Sequence, residues 1–166
     1  MPEMCDEQQY RDAEVAAAGM LSRRPLSAAM LEQKLLDKGF APEAADYAVQ
    51  RMRLLRAIDD EAYAEMLIRS YRNKGYGAKR IRQELYQRGV PKDTAAQQLR
   101  NMEPNWEKMH ALLEKKLRGD VSDRKQREKA MAALQRRGFT FSEIKIAMDN
   151  YRAELQQQQE EEFYVD

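Results

Sequence analysis

The chain has 166 residues, of which 43% are hydrophobic and 34% are charged, and it contains only seven glycines and five prolines. This composition favours a helical domain or a short helical repeat array over a β architecture. Every apolar run is far shorter than the ~20 residues of a membrane-spanning helix, and the acidic start "MPEMCDEQQYRDAE" does not resemble a signal peptide. The single cysteine, Cys5, cannot form an internal disulfide, so we expect a protein of the reducing cytoplasm.

The net charge of +1 conceals an uneven distribution of charge. Residues 1–16 carry five acids and one base, and residues 153–166 carry five acids and no base. The body between them, residues 17–152, carries 28 bases and 18 acids. A basic body between acidic ends indicates either a polyanionic or acidic partner, or a solvated helical surface with frayed tails.

Helix start and stop signals predict nine helices in three groups of three. The first predicted repeat is 1–56, with an acidic start and helices over 7–21, 27–38 and 42–56. The central repeat is 57–103, with helices over 60–74, 78–88 and 91–102. The third repeat is 104–155, with helices over 106–118, 123–137 and 141–156. The stretch "QQQQEEE" opens an acidic, low-complexity tail, 156–166, which we expect to fray.

Three glycines mark the period of this repeat. Gly39, Gly89 and Gly138 are 50 and 49 residues apart, in the segments "KLLDKGF", "ELYQRGV" and "ALQRRGF". Glycine in the left-handed conformation ends a helix cheaply, and the apolar residue after it packs back on the leucine four before it. The base before each glycine complements the negative helix end. New helices follow at once, beginning with Pro42, Pro91 or the capping box "TFSE".

The central repeat carries two further signals. In "IDDEAYA", Asp59 is the expected N-cap, Asp60 complements the positive end of the next helix, and Ile58 is placed for a hydrophobic staple. In "NKGYGAK", Gly75 is the expected left-handed stop, with the following tyrosine folded back on the helix, and Gly77 allows the chain to reverse. Both motifs therefore have an architectural interpretation.

Signals of an enzyme are weak. His110, the only histidine, has no partner at metal or relay spacing, and no Walker A loop or GxGxxG motif is present. The acids of "DDE" fit a helix cap better than a divalent-metal site, and Met20, Met52 and Met148 recur on helical faces as core filler. We expect no catalysis, no metal and no cofactor.

The basic residues around "RSYRNKGYGAKRIRQELYQRGV" are the stronger signal. Arginine matches phosphate or carboxylate in a bidentate manner, and tyrosine adds flat contact area. A second basic cluster lies in residues 115–129. The candidate contact residues are Arg69, Arg72, Lys74, Tyr76, Lys79, Arg80, Arg82, Arg124 and Lys125, and the candidate architectural residues are Asp59, Asp60, Gly75, Gly77, Gly39, Gly89 and Gly138.

The chain resembles a known family, the RecX regulatory proteins of bacteria. "RRPLSAAMLEQKLLDKGF" followed by "IDDEAYAEMLIRSYRNKGYGAKRIRQELYQRGV" carries the resemblance, and "RKQREKAMAALQRRGFTFSEI" matches more loosely. The likeness covers roughly residues 20–152. One departure is that family members commonly place Gly and an aromatic residue before the Asp-Asp pair, where this chain has Arg56 and Ala57.

The resemblance implies an elongated, curved, all-α array of three three-helix repeats. It also implies a monomeric, non-enzymatic regulator that binds RecA and its nucleoprotein filament on single-stranded DNA, lodges in the filament groove and limits recombinase activity, with direct DNA binding in some members. Two alternatives stay open from the residues themselves. One is a general nucleic-acid-binding module that acts without RecA, and the other is an interaction scaffold for an unrelated acidic protein.

Overall fold

The computed structural model describes residues 6–165, so Cys5 lies outside the described residues. Within that range all regular elements are helices, which confirms the all-α class. They are α1 Glu7–Arg23, α2 Ala28–Asp37, α3 Pro42–Leu54, α4 Asp60–Asn73, α5 Ala78–Gln87, α6 Lys92–Leu99, α7 Trp106–Leu117, α8 Arg124–Arg136 and α9 Phe141–Tyr164. Among these nine helices, none is long and apolar enough to cross a membrane.

The three repeating glycines end α2, α5 and α8 in the expected way. Gly39, Gly89 and Gly138 have φ of 98°, 76° and 96°, which is the left-handed region. In each case the amide after the glycine donates to the carbonyl five residues upstream: Phe40 to Leu35, Val90 to Leu85 and Phe139 to Leu134. These bonds define the Schellman ending, so the predicted repeat of helix stops is confirmed.

The helix starts were also largely predictable. The Asp59 carboxylate accepts from the amides of Glu61 and Ala62 at 3.0 and 3.2 Å, which confirms it as a cap of α4. Thr140 and Glu143 form the expected capping box at the start of α9. The expectation for Pro91 is wrong by one position, because it is the N-cap and α6 begins at Lys92.

The C-terminal helix is longer than predicted. The expectation that the chain frays after residue 156 is wrong, since α9 continues to Tyr164. Gln and Glu are good helix formers, and no Gly or Pro interrupts the segment. The low sequence complexity of this segment therefore did not indicate its helical structure. The side chains of α9 from Gln156 onward are all exposed.

The end of α3 shows how the chain manages without the family's usual glycine. Arg56 has a φ of 57°, and the amide of Ala57 donates to the carbonyl of Met52 at 2.9 Å. An arginine thus occupies the left-handed position of a Schellman ending at the cost of backbone strain. Helix α3 consequently stops at Leu54 rather than at residue 56.

The described residues divide into two compact units. The first unit runs up to Leu67 and includes Glu84–Arg100, and its core is formed by residues such as Leu31, Leu35, Val49 and Met52. The second unit comprises Ile68–Gln83 and the chain from Asn101 on, and its core includes Met109, Leu113, Leu134, Ile144 and Tyr151. Of the three methionines expected to fill the core, Met52 and Met148 are buried and Met20 is half-buried, whereas Met66 is 39% exposed.

Candidate partner-binding groove

The turn between α4 and α5 belongs to the second unit and ends α4 as predicted. Gly75 has a φ of 88°, and the amide of Tyr76 donates to the carbonyl of Tyr71 at 3.1 Å. The rings of Tyr71 and Tyr76 lie 5.4 Å apart between centroids. The turn therefore folds Tyr76 back over the end of α4, where it is half-buried.

Gly77 is required for a reason that the sequence did not show. Its amide donates to the carbonyl of Arg137 at 2.8 Å, and the amide of Lys79 donates to the carbonyl of Gly138 at 3.2 Å. A Cβ on Gly77 would lie 2.5 Å from the Gly138 backbone. The α4–α5 turn thus packs backbone to backbone against the α8–α9 turn. We expected Gly77 to allow chain reversal, but the structure requires glycine here because the two backbones approach closely.

Arg137 ties the same two turns together through its side chain. Its Nη1 donates to the carbonyl of Lys74 at 3.1 Å and lies 3.5 Å from that of Gly75. Its guanidinium also sits 5.0 Å from the centre of the Tyr76 ring, and that of Arg80 lies 6.0 Å from the same ring. The sequence indicated only a base that complements a helix end, because this contact spans more than 60 residues of chain.

A groove of about 320 Å³ opens beside this turn, between α7 and α8. Among the described residues that line it, four are cationic and none is acidic. We call it the cationic groove, and its lining is Tyr76, Leu112, Lys115, Lys116, Ala130, Ala133, Leu134, Arg136 and Arg137. A cationic wall beside an aromatic ring is suited to an anionic group, a carboxylate or a phosphate.

The predicted contact residues do not all reach this groove. Arg72 donates to the carbonyl of Glu103 at 2.6 Å, so it anchors the chain before α7 instead. The Lys74 ammonium lies 5.2 Å from the ring of Tyr71. Lys79 lines a separate, more apolar groove of about 420 Å³ that includes Phe139 and Phe141.

The other candidates lie on exposed helix surface. Arg69 and Arg82 are exposed on α4 and α5. At the start of α8, Arg124 pairs with Glu128 at 3.0 Å and Lys125 is exposed. Lys115, Lys116 and Arg136 were thus missed as groove residues, and only the packing of α7 on α8 brings them together with Tyr76.

In the first unit, the acidic pair has divided roles. Asp59 caps its own helix, whereas the Asp60 carboxylate accepts from the amide of Ala28 at 2.9 Å and so caps the start of α2. The Ser27 hydroxyl, which also caps α2, donates to the carbonyl of Arg88. Gly89 follows this carbonyl and meets Ala29, whose Cβ would lie 2.4 Å from a Cβ added at Gly89. These contacts support the architectural interpretation of Asp60 and Gly89.

Two titratable groups of the second unit, Tyr151 and Asp120, have pKa values shifted by their surroundings. Burial, with the hydrogen bond to Glu114, raises the pKa of Tyr151, whose hydroxyl donates to Glu114 at 2.6 Å and accepts from the amide of Gly119 at 2.9 Å. Hydrogen bonds from the Ser122 hydroxyl and amide lower the pKa of Asp120. Within residues 6–165, no cluster of three or more metal-binding side chains occurs.

Three family models match the chain in the order of its predicted repeats. They are described as the first, second and third three-helix domains of RecX, and they match residues 13–52, 59–99 and 103–148. The chain belongs to the RecX family. Among its relatives, the regulatory protein RecX of Vibrio parahaemolyticus is 34% identical over 135 residues, which are 80% of this chain and 87% of that protein. The RecX of Trichlorobacter lovleyi is 33% identical over 143 residues, which are 82% of this chain and 93% of that protein.

Solved RecX structures share the fold. The crystal structure of RecX from Lactobacillus salivarius matches with a TM-score of 0.81 at 22% identity, covering 88% of this chain and 98% of that one. A second crystal structure, of a regulatory protein RecX, matches with a TM-score of 0.76 at 25% identity, covering 85% and 72%. The three-helix repeats of the RecX family are therefore the architecture of this chain.

Proposed function

We propose that this RecX-family protein binds RecA and its nucleoprotein filament on single-stranded DNA and inhibits recombinase activity, without catalysis of its own. The observation that carries the proposal is the cationic groove beside Tyr76, in a family whose members are named regulatory proteins. A filament on DNA offers such a groove both the carboxylates of a protein and the phosphates of the strand.

The groove's chemistry suits contact with an anionic protein face. Lys115, Lys116 and Arg136 are exposed, so they are accessible to a partner. Arg137 and Tyr76 are half-buried and held by the turn, so the floor is preorganised rather than mobile. A partner that fills this groove finds Tyr76 and Arg137 already positioned, so the cost of ordering side chains on association falls mainly on Lys115, Lys116 and Arg136.

The proposed contact surface extends from this groove over the neighbouring exposed bases. It comprises Tyr76, Lys115, Lys116, Arg136 and Arg137, together with Arg69, Lys74, Lys79, Arg80, Arg82, Arg124 and Lys125. In this proposal Arg72 contributes by anchoring the chain before α7. The glycines of the turns and the pair Asp59 and Asp60 maintain the architecture that positions the bases.

In the proposed mechanism the protein acts as a monomer in the cytoplasm. It lodges in the groove of the RecA filament, where it blocks the recombining DNA or restricts the subunit motions that accompany ATP turnover. Because the protein only occupies space and neutralises charge, no nucleophile, metal or cofactor takes part.

The decisive assay is RecA-catalysed ATP hydrolysis and strand exchange on single-stranded DNA, with and without the protein. We expect both rates to fall as the protein is added, at concentrations comparable to RecA. Unchanged rates, combined with tight and steeply salt-dependent binding to naked nucleic acid, would instead favour a general nucleic-acid-binding module, the candidate that the cationic groove also supports.

A further inference from the structure

A second groove of about 370 Å³ lies in the second unit, between the start of α7 and the middle of α9. Trp106, Glu107 and His110 line it from α7, and Ala147, Asn150 and Glu154 line it from α9. It shares no lining residue with the cationic groove. We call it the tryptophan groove.

The charge of this groove is opposite to that of the surrounding basic body. Among the described residues that line it are two carboxylates, an amide and an imidazole, but no lysine or arginine. His110 Nε2 lies 2.5 Å from Glu154 Oε2, so this carboxylate is held in place at one end. The His110 ring is itself supported by Tyr151, at 5.2 Å between centroids. One of the two carboxylates of the groove, that of Glu154, is therefore positioned by contacts within the second unit.

The indole of Trp106 adds a preference for organic cations, which carboxylates alone do not provide. Trp106 is half-buried at the first position of α7, so part of its surface remains open to the groove. The face of an indole is the strongest cation–π partner among the aromatic side chains. Glu107 and Glu154 line the same groove as this ring, so the groove favours organic cations over neutral apolar ligands, which would desolvate the two carboxylates without compensation.

The geometry points to the tryptophan groove as a binding site for a guanidinium, the arginine side chain of a basic segment on a partner protein. A planar guanidinium stacks on an indole while its edge donates to carboxylates in a bidentate manner, and the side-chain amide of Asn150 in the groove lining offers a further oxygen acceptor. A lysine ammonium is more strongly hydrated and offers no plane to stack, so it fits this set of groups less well.

This site goes beyond the proposed function, which uses a groove of the opposite charge. The protein then presents an anion-binding groove and a cation-binding groove on one compact unit. The two grooves share no lining residue, so we treat them as separate binding sites.

Trp106 is the only tryptophan in the chain, so it reports on the site directly. The experiment titrates the full chain with a short acetylated and amidated arginine peptide, and a lysine peptide of the same length and charge serves for comparison. The readouts are the Trp106 fluorescence and the single indole Nε1–H signal in a nitrogen–proton correlation spectrum. We expect saturable changes in both, with the arginine peptide bound at least about threefold more tightly than the lysine peptide.

The variants separate this site from general attraction to acidic residues. Glu107→Gln with Glu154→Gln removes two charges, keeps an oxygen acceptor for His110, and should weaken arginine-peptide binding at least about tenfold. Glu160→Gln with Glu161→Gln removes two charges from the exposed end of α9 and should leave binding within about twofold. Glu107→Gln alone, at an exposed position, provides the same test if the double variant is not folded by circular dichroism.

Three results would overturn the proposal. One is a fluorescence change that does not saturate, and another is equal affinity for the lysine peptide. The third is an equal loss of affinity in the groove variant and in the variant of the α9 end. Because RecA is absent from this titration, its failure leaves the RecA assay unaffected, and a negative RecA assay leaves this site standing.

Discussion

The amide of Gly77 donates a 2.8 Å hydrogen bond to the carbonyl of Arg137, which joins the α4–α5 turn to the α8–α9 turn. The bond places Tyr76 beside the guanidinium of Arg137, at 5.0 Å from the ring centre, and so shapes the cationic groove. Two residues distant in sequence thus set the position of the proposed binding surface.

Gly77→Ala tests this relationship. The added Cβ would lie 2.5 Å from the backbone carbonyl of Gly138, and backbone on both sides leaves no flexible side chain to give way. We expect a loss of about 1–3 kcal/mol in the free energy of unfolding, measured by urea denaturation. Gly19→Ala in the middle of α1, where nothing lies within 4 Å, is the matched control and should stabilise by about 0.5–1 kcal/mol. If the two variants change the free energy of unfolding equally, the inferred steric constraint at Gly77 is wrong.

Gly89 and Gly39 provide a second comparison, between strain with and without a steric clash. Both glycines have positive φ, but a Cβ at Gly39 meets nothing within 4 Å, whereas a Cβ at Gly89 would lie 2.4 Å from that of Ala29. We expect Gly39→Ala to cost about 1–2 kcal/mol from backbone strain alone, and Gly89→Ala about 2–4 kcal/mol. Thermal and urea unfolding measure the difference, and equal losses would show that Ala29 does not constrain this turn.

Arg56→Gly should stabilise the protein, which is unusual for a change to glycine. Arg56 occupies the left-handed region, where a residue with a Cβ is strained by about 1–2 kcal/mol, although glycine gives back part of this gain through the freedom of the unfolded chain. We expect a net gain of about 0.5–1 kcal/mol in urea unfolding. Arg53→Gly, within the last turn of α3, should instead destabilise by about 1 kcal/mol. A loss of stability in Arg56→Gly would contradict the Schellman ending proposed there.

Local chemistry made much of the fold predictable. The helix endings at Gly39, Gly89 and Gly138 are formed by hydrogen bonds within segments of six residues. The capping box at Thr140 is formed within a segment of four residues. A local sequence pattern therefore contains all the residues that take part. The bond from Ala28 to Asp60 joins residues 32 apart, and the sequence offers no local sign of it.

The candidate site was less predictable for the same reason. The bases of the α4–α5 segment were visible as a cluster, but which of them share a groove depends on helix packing. Arg72 donates to the carbonyl of Glu103, before α7. The residues that line the groove with Tyr76 include Lys115, Lys116 and Arg136. The tail was misjudged for another reason, since its Gln-rich composition is typical of disorder while Gln and Glu individually favour a helix.

Alkaline pH should weaken the packing of α7 on α9 through Tyr151. Burial raises the pKa of this phenol, so the folded state favours the neutral form. Its stabilising contribution is therefore complete below the pKa of about 10 for an unfolded tyrosine and is lost as the pH rises through the higher folded pKa. We expect the free energy of unfolding to fall above pH 10 in the wild type and to fall less steeply in Tyr151→Phe. Parallel profiles in the two proteins would contradict this role.

The cationic groove is the surface on which the proposed function depends. Lys116→Glu with Arg136→Glu reverses two exposed charges that line it, whereas Lys145→Glu with Arg152→Glu reverses two exposed charges on α9 outside its lining. Helix content by circular dichroism should persist in both, because exposed substitutions usually change stability by no more than about 0.5 kcal/mol each. Any difference between the two variants then reports on the groove and not on the net charge.

The most direct measurement is a titration of RecA filaments on single-stranded DNA with the wild type and these two variants. We expect the groove variant to bind on the order of a hundredfold more weakly, because reversal converts attraction into like-charge repulsion worth several kcal/mol. The α9 variant should bind within about threefold of the wild type. A folded groove variant that binds filaments and inhibits strand exchange at wild-type concentrations would contradict the account.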